Sequence, residues 1–108
     1  MSTSSSSDDR LTVTHDAQEH RFEVLTDDGN VAGYLAYDPV ATTAHHGKDT
    51  IVMTHTVVQP EHEGQGIGSA LARAALDDAR TKKMVVIPEC AFVREFVERH
   101  PEYQDLLP

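Results

Sequence analysis

The sequence predicts a mixed α and β fold (α+β): an antiparallel β-meander, then one β-α-β crossover, then a C-terminal helix. Three observations carry that prediction. Short alternating segments separated by turn residues fill the first half of the chain. Beyond Ile67 the apolar period changes from two residues to about 3.6. The wholly apolar residues 84–87 follow that stretch and read as a strand buried on both faces.

Residues 1–10 are a polar, low-complexity segment with too little apolar surface to order itself, so they are expected to be a disordered tail. Residues 11–108 are expected to form a single domain. Residues 11–14 and Arg21–Leu25 alternate as strands, and Asp27-Asp28-Gly29-Asn30 turns the chain into a third strand at 31–37. Residues 38–49, with Pro39, Gly47 and the pair His45-His46, read as a surface loop. Residues 50–58 give the strongest strand signal. Strict alternation places Ile51, Met53, His55 and Val57 on one face and Val52, Thr54, Thr56 and Val58 on the other. Pro60 ends that strand.

The helix beginning at Ile67 shows a stripe of Ile67, Ala70, Leu71, Ala74 and Ala75. It ends at Lys82-Lys83, where positive charge suits the C-terminal dipole. Phe92, Val93, Phe96 and Val97 then form a second amphipathic helix, stopped by Pro101. The crossover through the first helix is expected to be parallel and right-handed.

The chain has 108 residues and a formal charge of −9. That sign argues against a nucleic-acid binder and against a polybasic membrane anchor, and it suits a cationic or amine-bearing partner. A single cysteine excludes an intramolecular disulfide and a zinc ribbon. No apolar run is long enough to span a bilayer, and the first ten residues lack the apolar stretch of a secretory signal. A cytoplasmic protein is expected. The seven histidines show no metal-ligand spacing, so no metal is assigned.

Chemistry is concentrated where the central strand meets the first helix, with Gly64, Gly66 and Gly68 alternating between them. Alternate glycines let successive N–H groups converge, and the positive end of the helix dipole reinforces them, so the segment reads as a cradle for a diphosphate. A P-loop needs Lys after the last glycine, and here Ser69-Ala70 follow. The dinucleotide fingerprint also fails, because Ser69 occupies its third glycine position; nicotinamide binding is a weak alternative.

The stretch Pro60-Glu-His-Glu-Gly-Gln-Gly-Ile-Gly-Ser-Ala-Leu71 resembles the acetyl-coenzyme-A signature of the GNAT superfamily of N-acetyltransferases. Pro88-Glu-Cys-Ala-Phe-Val93 and Arg99-His-Pro-Glu-Tyr-Gln-Asp-Leu106 resemble the C-terminal signature of its short branch related to N-acetyltransferase domain-containing protein 1. The resemblance spans nearly all of residues 11–107. It implies a minimal GNAT-like fold whose central strand splays from its neighbour. The pantetheine arm of acetyl-coenzyme A would lie in the gap on backbone groups of Val57 and Val58. The diphosphate would sit on the amides of Glu63, Gly64, Gln65, Gly66, Ile67, Gly68 and Ser69. Glu63 departs from the Arg or Gln of the signature and is expected to weaken cofactor affinity.

Acetyl transfer to an amine requires a neutral amine, a polarised thioester and protonation of the departing thiolate. His55 is a candidate base, because histidine is the side chain that ordinarily titrates near neutrality; the competing reading packs it among Ile51, Met53 and Val57. Cys90, at the start of the last helix, is either catalytic or a small buried residue. Tyr103 reads more simply as packing than as an acid. The implied function is an acetyl-coenzyme-A-dependent N-acetyltransferase for a small amine, a polyamine or a protein amino group. A monomer or homodimer is expected. The alternative is an acyl-coenzyme-A-binding module without transfer activity.

Overall fold

The computed structural model of the chain describes residues 12–45 and 48–108, with backbone alone for 39–45 and 48. The tail expected at 1–10, like Leu11 and His46, lies outside the described residues. Five strands form one sheet in chain order: β1 (Thr12–Asp16), β2 (Arg21–Leu25), β3 (Val31–His45), β4 (Lys48–Val58) and β5 (Val85–Pro88). The first four run antiparallel, and β5 lies parallel to β4. Helix α1 (Ile67–Thr81) makes the crossover and α2 (Ala91–Arg99) follows β5; single 3-10 segments occupy Pro60–His62 and Pro101–Leu106. This is the mixed fold the patterning predicts, with meander, crossover and terminal helix in the expected order.

The surface loop expected at 38–49 is instead a long hairpin. Asp38, Pro39 and Val40 pair with Val52, Ile51 and Thr50, and His45 pairs with Lys48. Pro39 fits because β2 ends at Arg21, opposite Ala36, so the edge of β3 that its nitrogen faces needs no partner there.

Both helices pack on one face of the sheet. Phe22, Val24, Leu35 and Met53 meet Ile67, Leu71 and Leu76 of α1 and Val93 and Val97 of α2 in one core. The buried face of α1 is rotated from the predicted stripe. Ala72, Leu76 and Ala79 join Ile67, Leu71 and Ala75, while Ala70 and Ala74 are only half-buried. Phe92 is not a core residue; it is 40% exposed and lies over α1 at Gly68.

One residue sets what each face of β4 carries. Ala36 pairs with His55 but Tyr37 pairs with Met53, so Thr54 is an extra residue without a cross-strand partner. Such a bulge reverses the alternation beyond it. Ile51 and Met53 share a face as predicted, and it is the helix side, but His55 and Val57 do not lie on it. Those two turn to the open face beside Tyr34 and Ala36, while Thr56 and Val58 join Leu35 and Gly33 on the helix side.

Gly33 allows β3 to pass closely under the start of α1. A Cβ there would lie 2.8 Å from the Val57 carbonyl oxygen and 3.0 Å from Ile67 Cγ2. Backbone cannot yield as a flexible side chain would. Gly33→Ala should therefore cost about 2 kcal/mol, read as a melting temperature lower by roughly 10 °C; an unchanged midpoint would refute the close packing.

The C-terminal segment is fastened through Tyr103, which is buried and donates its hydroxyl hydrogen to Asp77 Oδ1 at 2.7 Å. Arg80 pairs with Asp105 beside it. Burial first, and then the bond to Asp77, push the Tyr103 phenol above its ordinary range. An unfolded tyrosine titrates near pH ~10. The stabilisation is thus complete below that pH and is lost as pH rises through the higher folded value. Tyr103→Phe should lower stability by about 1 kcal/mol at neutral pH. Denaturant titrations across pH 8–12 should show a shallower alkaline decline in the variant than in the wild type.

Candidate active site

Strand β4 continues to Val58, but β5 pairs with it only from Thr50 to Met53. Residues 54–58 therefore keep one open edge. The N–H of Cys90 donates to the Met53 carbonyl at 2.9 Å and closes the apex of the resulting gap. Gln59 N–H donates to Ala32 O on the β3 side, and alternation along the ladder turns the backbone groups of Val58 and Thr56 to the open edge. Of the pair Val57 and Val58 expected there, Val58 fits. Val57 directs its backbone to Tyr34, and Thr56 takes its place.

Past the strand, the 3-10 turn at Pro60–His62 leads to the glycine loop. Gly64 and Gly66 have φ of 86° and 80°, in the left-handed region that side-chain-bearing residues seldom adopt. Gly66 is the N-cap of α1, its carbonyl accepts from Ala70 N–H, and no side chain caps the helix. Among the described residues, the amides of Gly64, Gln65, Gly66, Ile67, Gly68 and Ser69 donate to no backbone carbonyl. The Glu63 amide does, to Pro60 O at 3.3 Å, so it leaves the expected set. Gln65 Oε1 accepts from His62 Nδ1 at 3.0 Å. A cavity of about 230 Å³ lies before the loop, lined by Val58, Glu63, Gly64, Gly66, Ser69 and Phe92 among others. The space before Gly64 and Gly66 is open, since a Cβ there would meet nothing within 4 Å.

His55 and Cys90 flank the gap from opposite sides of the sheet. His55 is exposed, its ring in a T-shaped contact with Tyr34 at 5.9 Å between centroids. The reading that packs it in the core is overturned by the Thr54 bulge. Thr54 also fixes its tautomer. The threonine hydroxyl donates to Ala36 O at 3.2 Å, so its oxygen must accept from His55 Nδ1–H, also at 3.2 Å. The basic lone pair is then on Nε2.

Cys90 is buried at the N-cap of α2, its Sγ 3.4 Å from Thr56 Oγ1. Tyr103 is committed to Asp77 of α1 and serves as packing. Among the described residues no three His, Cys, Asp or Glu side chains are grouped to hold a metal ion, and no helix is long and apolar enough to cross a membrane. Thr54, Thr56 and Phe92 shape the site without a sequence signal that marks them.

Residues 21–106 match the family model of the GCN5-related N-acetyl-transferases. The chain belongs to that family. It is thereby an acetyltransferase domain. It is 29% identical over 96 residues to Protein NATD1 of Danio rerio, covering 87% of this chain and 82% of that one. Protein NATD1 of Mus musculus is 29% identical over 91 residues, 84% of this chain and 77% of its own. Among solved structures, a GCN5-like protein from Staphylococcus aureus superposes with a TM-score of 0.67 at 27% identity, covering 92% of this chain and 89% of its own. A ribosomal-protein-alanine N-acetyltransferase from Brucella melitensis shares the fold, with a TM-score of 0.61 at 20% identity over 74% of this chain and 59% of its own.

Proposed function

We propose that this GCN5-related domain transfers the acetyl group of acetyl-coenzyme A to a primary amine. One observation carries the reading: Gly64, Gly66, Ile67, Gly68 and Ser69, whose amides donate to no backbone carbonyl, line the same cavity as Val58, so the loop adjoins the open edge of β4. A diphosphate joined to an extended amide-bearing arm has that shape and that pattern of acceptors. The amides and the α1 dipole hold the diphosphate, and Val58 and Thr56 supply ladder-like bonds to the arm. When bound, the thioester supplies an activated acyl carbon at the apex of the gap.

At that apex His55 Nε2 takes the proton of an incoming ammonium from the open face of the sheet. The amine nitrogen then bonds to the acyl carbon, the C–S bond breaks, and the proton that the nitrogen gives up is balanced by the one the departing thiolate takes on. The Thr56–Cys90 pair lines the helix side, where a donor to that sulfur is needed. The net acidity favours cationic acceptors, and we read the protein as a cytoplasmic monomer or homodimer.

The test is a calorimetric titration with acetyl-coenzyme A, using NADH as control, followed by thiol-release assays over an amine panel. Saturable binding with amine-dependent thiol release is expected. Failure to bind at millimolar ligand would refute the cofactor assignment; binding without turnover on any amine would refute transfer and leave an acyl-coenzyme-A-binding module.

Glu63 lines the loop cavity and is exposed. A carboxylate ~4 Å from a phosphate costs about 1 kcal/mol in water. Glu63→Gln should therefore tighten acetyl-coenzyme A by about fivefold, an effect that shrinks at high salt. An unchanged dissociation constant at low salt would show that the carboxylate turns away.

A further inference from the structure

The loop cavity does not end at α1. A second cavity, about 80 Å³, lies between the two helices and is lined by Ser69, Phe92, Glu95, Phe96, Arg99 and His100. Ser69 and Phe92 line both, so the two spaces adjoin at the N-terminal turn of α1. Its basic lining is unusual in a chain with eighteen acids and nine Lys and Arg. Arg21, Arg80 and Lys82 are each paired with a carboxylate. Arg99 has no salt bridge among the described residues, although Glu95 stands one helical turn before it.

His100 is held in place from behind. Its Nδ1 donates to Phe96 O at 2.8 Å and its ring stacks on Phe96 at 4.0 Å, which leaves Nε2 for the cavity. Arg73 lies over the same phenyl ring, 5.5 Å from its centroid. The cavity thus has an unpaired guanidinium, a preset imidazole and a serine hydroxyl, within a volume suited to one phosphate group.

We propose that Arg99, with His100 and Ser69, forms a phosphomonoester subsite that reads the 3′-phosphate on the ribose of coenzyme A. The chain then distinguishes coenzyme A from its 3′-dephospho form. This rests on the coenzyme A reading above, because the 3′-phosphate lies one ribose beyond the diphosphate and the small cavity adjoins the diphosphate cradle. Glu95 also lines the cavity and opposes an anion there, so the subsite depends on the Arg99 guanidinium outweighing that carboxylate.

The test is equilibrium binding of coenzyme A and of 3′-dephospho-coenzyme A to the wild type, Arg99→Ala and, as a charge-matched control, Lys83→Ala at the far end of α1. The wild type should prefer coenzyme A by about tenfold. Arg99→Ala should abolish that preference by weakening coenzyme A alone, and Lys83→Ala should retain it. Circular dichroism confirms that Arg99→Ala folds; if it does not, Arg99→Gln takes its place. Equal wild-type affinities for the two ligands, or an Arg99→Ala loss shared equally between them, would overturn the subsite and leave the coenzyme A assignment standing. Binding of neither ligand would overturn both.

Discussion

Replacing His55 with glutamine should lower kcat for amine acetylation by about a hundredfold, the lower range for a positioned general base, and leave acetyl-coenzyme A affinity unchanged. The side chain is exposed on the open face of the sheet, so its loss leaves no cavity and little change in stability. Its reactive nitrogen is set by Thr54, whose hydroxyl passes its hydrogen to Ala36 and can only accept from Nδ1. Thr54→Val should therefore lower kcat in the same direction but by less, because the ring loses its orientation and keeps its base. A His55→Gln enzyme with wild-type kcat would remove His55 from the mechanism. Equal losses in kcat and in cofactor binding would assign it to the cofactor site instead.

Gly66→Val should weaken acetyl-coenzyme A on the order of a hundredfold. A β-branched residue at φ of 80° is strained by about 1–2 kcal/mol, so the loop will relax toward negative φ and turn its N–H groups out of convergence. Losing two charge-assisted amide bonds accounts for the remainder. Gly66→Asn is the discriminating companion, since asparagine tolerates the left-handed region. It should retain most of the affinity. A cavity that were simply blocked by any side chain would reject both, and no Cβ contact within 4 Å at Gly66 argues against that outcome. Calorimetry on the two variants separates strain from obstruction.

Much of this architecture was legible before any coordinates. The meander, the crossover and the glycine cradle each follow from patterns that local physics enforces: period two, period 3.6, and glycine where φ must be positive. Two kinds of feature were not legible. Pro39 and Gly47 read as loop signals in the sequence; only the pairing shows that Pro39 belongs to a strand and sits against an unpartnered edge. Likewise no residue type announces the Thr54 bulge, because threonine is as good in a regular strand as in an irregular one. The roles of Thr56 in the gap and of Phe92 over Gly68 follow from tertiary placement. Arg99 looks like an ordinary surface charge until the cavity beside it is seen.

The Thr54 bulge gives β4 two phases, much as an inserted base changes a reading frame. Upstream, Ile51 and Met53 face the helices; downstream, Thr56 and Val58 do. Removing that one residue would leave Met53, His55 and Thr56 opposite Tyr37, Ala36 and Leu35 in an unbroken ladder, with the imidazole still on the open face but without the Thr54 hydroxyl that orients it. For sequence comparison, the position of a single-residue gap in this strand therefore matters more than its presence. A relative with its gap at Thr54 keeps the same side chains on each face, and an alignment that places the gap two residues later would match the wrong residue to His55.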